Sequence, residues 1–242
     1  ERWVTFDPRY TIRVSSWIRG YLCDKAKTEW PFIERSEVYV AGHHNPKDVL
    51  TPPRFSFLPL PTIGHQNADG LIRRVIIAEP YGDDGSKADW AGDKIDAAII
   101  HNDSGHRVAR IENIRKDNIF ERYCSSRRSF KTVTPVILPG HDSRKYPKAE
   151  KLFLKAIEQA GFNVDDLDYF ILHKAPFFKG GYHPKDYRLT AHLKGFTPIH
   201  VMIRWKSPVN GPLAIGAGRH RGLGLFAPIE SEDKQFEKTY TE

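Results

Sequence analysis

Hydrophobic patterning predicts an α+β protein built as two tandem units with antiparallel sheets, closed by a glycine-rich loop near the C-terminal end. Three observations carry that prediction. Apolar residues recur at helical spacing in two stretches, one in each half of the chain. Runs rich in β-branched and aromatic residues follow both helices, separated by glycine-bearing connections. In the second half the order is strand, helix, strand, strand and a terminal strand, which is the ferredoxin-like order. Two such units, residues 1–124 and 125–230, with a polar tail over 231–242, make up the expected organisation.

In the first unit, Ser15 or Ser16 is expected to cap a helix running through Trp17, Ile18, Tyr21 and Leu22. The stretch EVYVAG reads as a strand. FSFLPLPTI and LIRRVIIAEP read as a hairpin whose long loop holds Gly64 and Gly70. From Tyr81 to about Ser104 the chain, including YGDDGSKADWAGDK, reads as an acidic loop. In the second unit, TVTPVILP is a buried-strand pattern. KAEKLFLKAIEQAG is the clearest helix, with Leu152, Phe153, Ala156, Ile157 and Ala160 on one face and Gly161 as its stop. DYFILHK, HVMIRW and GPLAIGAG complete the strand set, and the polar tail ESEDKQFEKTYTE is expected to fray.

Composition bounds the function. The 242 residues are 40% hydrophobic, enough for a real core, and no apolar run approaches the ~18 residues of a membrane span. Glu1 opens the sequence with no charged-then-apolar leader after it, so the chain is expected to start inside a longer polypeptide or after processing. The net charge is +7 and the pI about 9.3, a balance that favours polyanionic partners over the plainer alternative of a merely basic protein. Cys23 and Cys124 are far apart and outside any CxxC pair, which removes zinc-framework and disulfide-scaffold readings and fits a reducing cytoplasm.

The stretch GAGRHRGLGLF, residues 216–226, places two arginines and a histidine among four glycines. A dinucleotide fingerprint needs GxGxxG opening a helix, and a Walker loop needs GKS or GKT; neither spacing is met. Two readings remain. Gly216, Gly218, Gly222 and Gly224 bare the backbone to a polyanion whose phosphates meet Arg219, His220 and Arg221, or the run is a glycine-rich β-hairpin with exposed basic residues.

GPLAIGAGRHRGLGLF resembles the C-terminal glycine-rich signature of the RAMP superfamily of CRISPR proteins. Together with FLPLPTIGHQNADGLIRRVIIAEP and TVTPVILPGH, it is similar to the large subunit of type I-G (formerly I-U) CRISPR systems, over residues 55–228 or so. In that family a backbone-binding module is fused to a repeat-RNA endoribonuclease module, and the present chain resembles the latter. The family's hairpin loop reads GH-x-HADG. Here Asn67 stands at the second histidine, leaving His65 as the better candidate. The resemblance implies metal-free cleavage through the 2′-hydroxyl, giving 2′,3′-cyclic phosphate and 5′-hydroxyl ends. It also implies CRISPR repeat or guide RNA and other effector-complex subunits as partners, with no cofactor.

That reaction needs a base, an acid and positive charge around the phosphorane, which suits histidine with Arg or Lys. The candidate histidines are His43 and His44 beside Lys47, His65 in the hairpin loop, and His220 in the glycine loop, with His141 and His183 behind them. His101, His192 and His200 sit in or beside strand-like runs and read as structural. No HExxH motif is present, and no metal site is expected. For RNA contacts, Arg219 and Arg221 come first, followed by Arg127, Arg128 and Lys131 in the run SSRRSFK, whose alternative is a solvated linker. Phe178, Tyr182 and Tyr187 offer rings for base stacking or for packing beneath their own loop. The residues leave open a repeat-RNA endoribonuclease, a guide-RNA-binding subunit that does not cut, and an assembly module with protein partners.

Overall fold

The computed structural model describes residues 4–43, 52–114, 116–143, 145 and 147–229. Asp7 caps a short 3-10 turn, Pro8–Tyr10, by accepting from the Arg9 amide, and that turn feeds directly into α1 (Thr11–Glu29). The helix therefore begins upstream of Ser15 and Ser16, which are not its caps. Ser15 Oγ donates to the Phe57 carbonyl at 2.8 Å, and Ser16 Oγ donates back to Ile12 O. The EVYVAG stretch is also corrected. It forms one helical turn, α2 (Ser36–Tyr39), because Tyr39 is buried edge-on against Phe55 and its hydroxyl reaches Asp83 at 2.8 Å.

β1 (Ser56–Pro61) and β2 (Ile72–Ala78) form the expected antiparallel hairpin, with Ser56 opposite Ala78. Phe6 bridges the other edge of β2 at Ile72, so β2 lies between the N-terminal segment and β1. The acidic stretch after it is not all loop. Ser86–Ile95 is α3, whose Trp90, Ala91 and Ile95 pack into the first core. β3 (Ile99–His101) and β4 (Arg107–Arg110) pair with each other, and α4 (Asn118–Cys124) starts on Asp117, which accepts from two amides.

In the second half the run SSRRSFK is not a linker before a strand. It enters the strand itself, β5 (Arg127–Thr132), followed by β6 (Val136–Ile137). α5 (Ala149–Gln159) buries Phe153, Ala156 and Ile157 as the spacing predicts, and Gly161 follows at positive φ. β7 (Leu167–His173), β8 (Pro198–Val209), β9 (Leu213–Ala214) and β10 (Leu225–Pro228) complete the sheet. Its central order is β10-β5-β8-β7, antiparallel throughout. Counting β5, β7, β8 and β10 as strands one to four, this is the 4-1-3-2 interleaving of a split βαβ unit. Between β8 and β10, β9 and the glycine-rich loop take the place of a second helix.

Phe130, Val201, Ile203 and Trp205 line the sheet face against α5. A further cluster joins the halves, with Leu58, Leu60 and Ile76 of the first hairpin packed against Val133, Leu225 and Ala227. That junction lays β1 alongside the glycine-rich loop.

Candidate phosphate-binding site

The four glycines of the loop turn inward. All are buried, and the chain between them forms a 3-10 turn, Arg219–Arg221. Gly222 has φ +78, and a Cβ there would lie 2.6 Å from Pro59 Cδ; Gly224 has φ +63, and a Cβ would collide with the Ile215 carbonyl. Gly216 and Gly218 are closely approached by Ile137 and Leu223. Glycine at these four positions lets the loop seat on the core. Thr134 Oγ1 donates to the Gly222 carbonyl at 2.8 Å, and Thr11 Oγ1 does so at 3.4 Å.

Seated this way, the turn points its three basic side chains at the N-terminal half. His220 Nδ1 lies 2.9 Å from Ser56 Oγ at the start of β1. Arg54, two residues upstream, and Arg19 of α1 complete a group of four guanidinium-bearing residues with Arg219 and Arg221. Burial pushes Arg54 down to about 10, and the charges of Arg219, Arg221 and Arg19 add to that shift. Arg219 and Arg221 are lowered by burial as well, Arg221 also by Arg19. Burial first, then Arg54 and Arg219, takes His220 down to about 2, so its ring is neutral at working pH.

The polar contacts of these arginines are to carbonyl oxygens: Arg19 to Ala41 at 2.7 Å, Arg54 to Gly42 at 3.4 Å and Arg219 to Gly216 at 3.4 Å. Among the described residues none of the four is ion-paired with a carboxylate. Arg19 Nε, Arg54 Nε and His220 Nε2 are buried without a hydrogen-bond partner. Buried charge normally comes paired, because desolvation costs on the order of several kcal/mol per ion. Like charges gathered with spare N–H donors form the physical outline of an anion site.

Arg19, Arg54 and Ser56 were not singled out by the sequence. They lie far from the glycine loop along the chain, and no local spacing ties them to it. Of the residues that were, His43 follows Gly42, which Arg54 touches, and its amide donates to Glu37 O at 2.9 Å. Its side chain is exposed, and its charge helps lower the Glu37 carboxyl, after that group's own backbone bond and Arg35. His44 and Lys47 lie outside the described residues.

His65 is exposed in the hairpin loop, beyond the far end of β1 from Ser56. That strand spans roughly 17 Å at a rise of ~3.3 Å per residue, so the structure does not bring His65 to His220. Arg127 is exposed, Arg128 Nε donates to Trp205 O at 3.0 Å, and Lys131 points its ammonium over the Phe177 ring at 6.0 Å. These three belong to the second sheet, apart from the arginine group. His141 is exposed, and His183 accepts the Lys185 amide at 3.3 Å. His200 is fully buried, as a structural histidine should be, whereas His101 and His192 are exposed. Phe178 packs at the junction of the halves, Tyr187 is buried with its hydroxyl on Val133 O, and Tyr182 lies under Arg9.

Residues 34–228 match the sequence profile of a CRISPR-associated family, GSU0054. The chain belongs to that GSU0054 family. The matched span covers Arg54, Ser56 and the whole glycine loop, and leaves Arg19 outside it. No curated protein and no solved structure gives a significant match. Among the described residues no helix is long and apolar enough to cross a membrane, and no three His, Cys, Asp or Glu side chains group as metal ligands.

Proposed function

We propose that this GSU0054-family chain binds CRISPR repeat RNA and cuts it by 2′-hydroxyl attack without a metal ion. The single observation carrying this reading is the group of Arg19, Arg54, Arg219 and Arg221 around His220, poor in counter-charge and rich in unpartnered N–H groups. A phosphodiester supplies what that group lacks. Its oxygens accept from the guanidinium groups, and the extra charge of the phosphorane is stabilised more strongly than the ground state. In the proposed reaction a base takes the 2′-hydroxyl proton, O2′ bonds to phosphorus, and the P–O5′ bond breaks as an acid protonates O5′. His43, beside the arginine group, is the first candidate for acid–base work there, with His44 next to it in sequence; His65, at the other end of β1, is the alternative and would place the cut at the hairpin loop instead. The product's 3′ hairpin is retained in an effector complex with a backbone-binding RAMP module, in the cytoplasm.

End-labelled repeat RNA incubated with the protein in EDTA tests the reading, with a substrate 2′-deoxy at the cut site as control. Cutting that the 2′-deoxy substrate blocks is the expected result. Alanine at the true acid or base abolishes cutting and leaves RNA affinity nearly intact; normal cutting by both His43→Ala and His65→Ala overturns the assignment.

A guide-RNA-holding subunit without cutting is the second reading. His220 favours it: the histidine deepest among the arginines is neutral and has its Nε2 shut away from solvent, which suits an anchor better than a proton shuttle. Tight binding with no cutting selects this reading.

A further inference from the structure

The face of the second sheet turned away from α5 carries a different set of residues. The register places Tyr169 opposite Arg204, Ile171 opposite Met202 and His173 opposite His200, while from the other side Lys131 pairs with Met202 and Ser129 with Arg204. Directly opposed residues share a face, so Tyr169, His173, Lys131 and Arg204 all stand on it. Tyr169 is exposed, and the other three are half-buried.

His173 is unusually well held for a half-exposed histidine. Its Nδ1 lies 2.9 Å from the Ala175 carbonyl, so Nδ1 carries the proton and Nε2 presents a lone pair. Phe177 backs the ring, stacked at 5.4 Å and 29°. Phe177 is itself braced by His200, 6.3 Å away edge-on, with Lys131 Nζ at 6.0 Å from its ring. His200 cannot contribute chemistry, because both of its nitrogens are engaged inside the protein. An imidazole fixed in plane and tautomer, backed by a ring that also carries Lys131, and four strand residues along from an exposed tyrosine, is a stacking platform with an acceptor at its rim. Tyr169 and His173 are roughly 13 Å apart at ~3.3 Å per residue. The loop bearing Phe177 also reaches the hairpin loop of His65, where Gly180 closely approaches Asp69 and Gly70.

We infer that this face binds a short single-stranded RNA segment, one base stacking on His173 with a flanking phosphate on Lys131 and a second base on Tyr169. The inference rests on the RNA-binding reading above and adds a second contact region to it. The in-plane lone pair of His173 Nε2 is out of reach of a base stacked on the ring and is left to accept from the neighbouring nucleotide. The strand leaving His173 is thereby aimed toward the His65 loop.

The test is equilibrium binding of a fluorescent single-stranded repeat-derived RNA to the full chain, alongside the same RNA carrying abasic sites walked along it. Wild type loses about tenfold at each of two abasic positions, the size expected for one stacked base. His173→Ala and Tyr169→Ala each lose about tenfold on intact RNA and nothing further on the RNA that is abasic at the matching position. Lys131→Gln loses affinity equally on intact and abasic RNA. Unchanged affinity for His173→Ala and Tyr169→Ala, in protein whose thermal melt matches wild type, overturns the inference. Arg54→Ala separates the two readings: if it abolishes binding while the sheet variants bind normally, the arginine site stands and the sheet site falls. If wild type binds no RNA, both fall together.

Discussion

Two histidines with nearly opposite surroundings, one fully buried and one half-buried, divide the parts that hold the fold from the part proposed to bind. His200, on β8, is completely satisfied. Thr132 Oγ1 accepts the Val201 amide and lies 3.0 Å from His200 Nδ1, to which its hydroxyl proton therefore points, while Nε2 meets the Tyr182 carbonyl at 3.0 Å. His220, on the glycine loop, has Ser56 at Nδ1, an empty-handed Nε2, and arginines around it. Both rings are held neutral by burial, His200 with a value near 4. A satisfied buried polar group fixes one fold, whereas an unsatisfied one among like charges lowers stability until a ligand arrives. On that difference His200 is structural, and the proposed anion site takes in His220.

The comparison is sharpest in the response to mutation. Arg54→Ala combined with Arg219→Ala is expected to weaken repeat-RNA binding by at least about 100-fold, since charge-assisted bonds to phosphate contribute roughly 1.5–3 kcal/mol each. The same double variant should melt at or above the wild-type temperature, because it relieves like-charge repulsion in the free protein. A clear loss of melting temperature together with normal RNA binding would make the arginines structural. His200→Ala is expected to behave in the opposite way. It leaves Tyr182 O and the Thr132 hydroxyl unpaired in a buried site, at a cost of about 3 kcal/mol by denaturant titration, and RNA affinity of the folded fraction should hold.

Acid sets a second contrast. An unfolded His200 takes a proton near pH 6.5, while the folded one resists until about pH 4. The unfolded state therefore binds more protons in that window, and stability falls as pH drops from about 6.5 to 4, by up to about 3 kcal/mol, and is level below. Thermal melts across that range, compared with His200→Gln, measure the share due to this ring. His220 depresses stability in the same direction. Phosphate bound among the arginines should weaken its share, because an anion favours the imidazolium.

What the sequence could reveal follows the same division. α5, the first hairpin, β7 and β8 were legible because each carries its own periodicity over enough residues to decide between a helix and a strand. α2 was not, since EVYVAG has the composition of a strand, and only the burial of Tyr39 among Trp30 and Phe55 makes it a helical turn. α3 hid behind its acidic residues, although Trp90, Ala91 and Ile95 fall on one face once the helix is seen. Ser15 looked like a cap and is a tether to β1. Arg219, His220 and Arg221 were visible as a motif. Their partners were not, because Arg19 and Arg54 reach them only through the packing of α1 and β1 against the glycine loop.

The smallest expected effect probes that packing most directly. Affinity for a single-stranded RNA falls with salt by about 0.7 in log–log slope for each phosphate the protein neutralises. Arg221→Gln should therefore flatten the slope by about 0.7, with Arg19→Gln doing the same even though Arg19 sits on a helix more than 200 residues away in sequence. The two changes made together should flatten it by less than their sum if both arginines hold one phosphate, and by the full sum if each holds its own. A slope indifferent to Arg19 would confine the anion site to Arg54 and the glycine loop, and would leave Arg19 with only its bond to the Ala41 carbonyl.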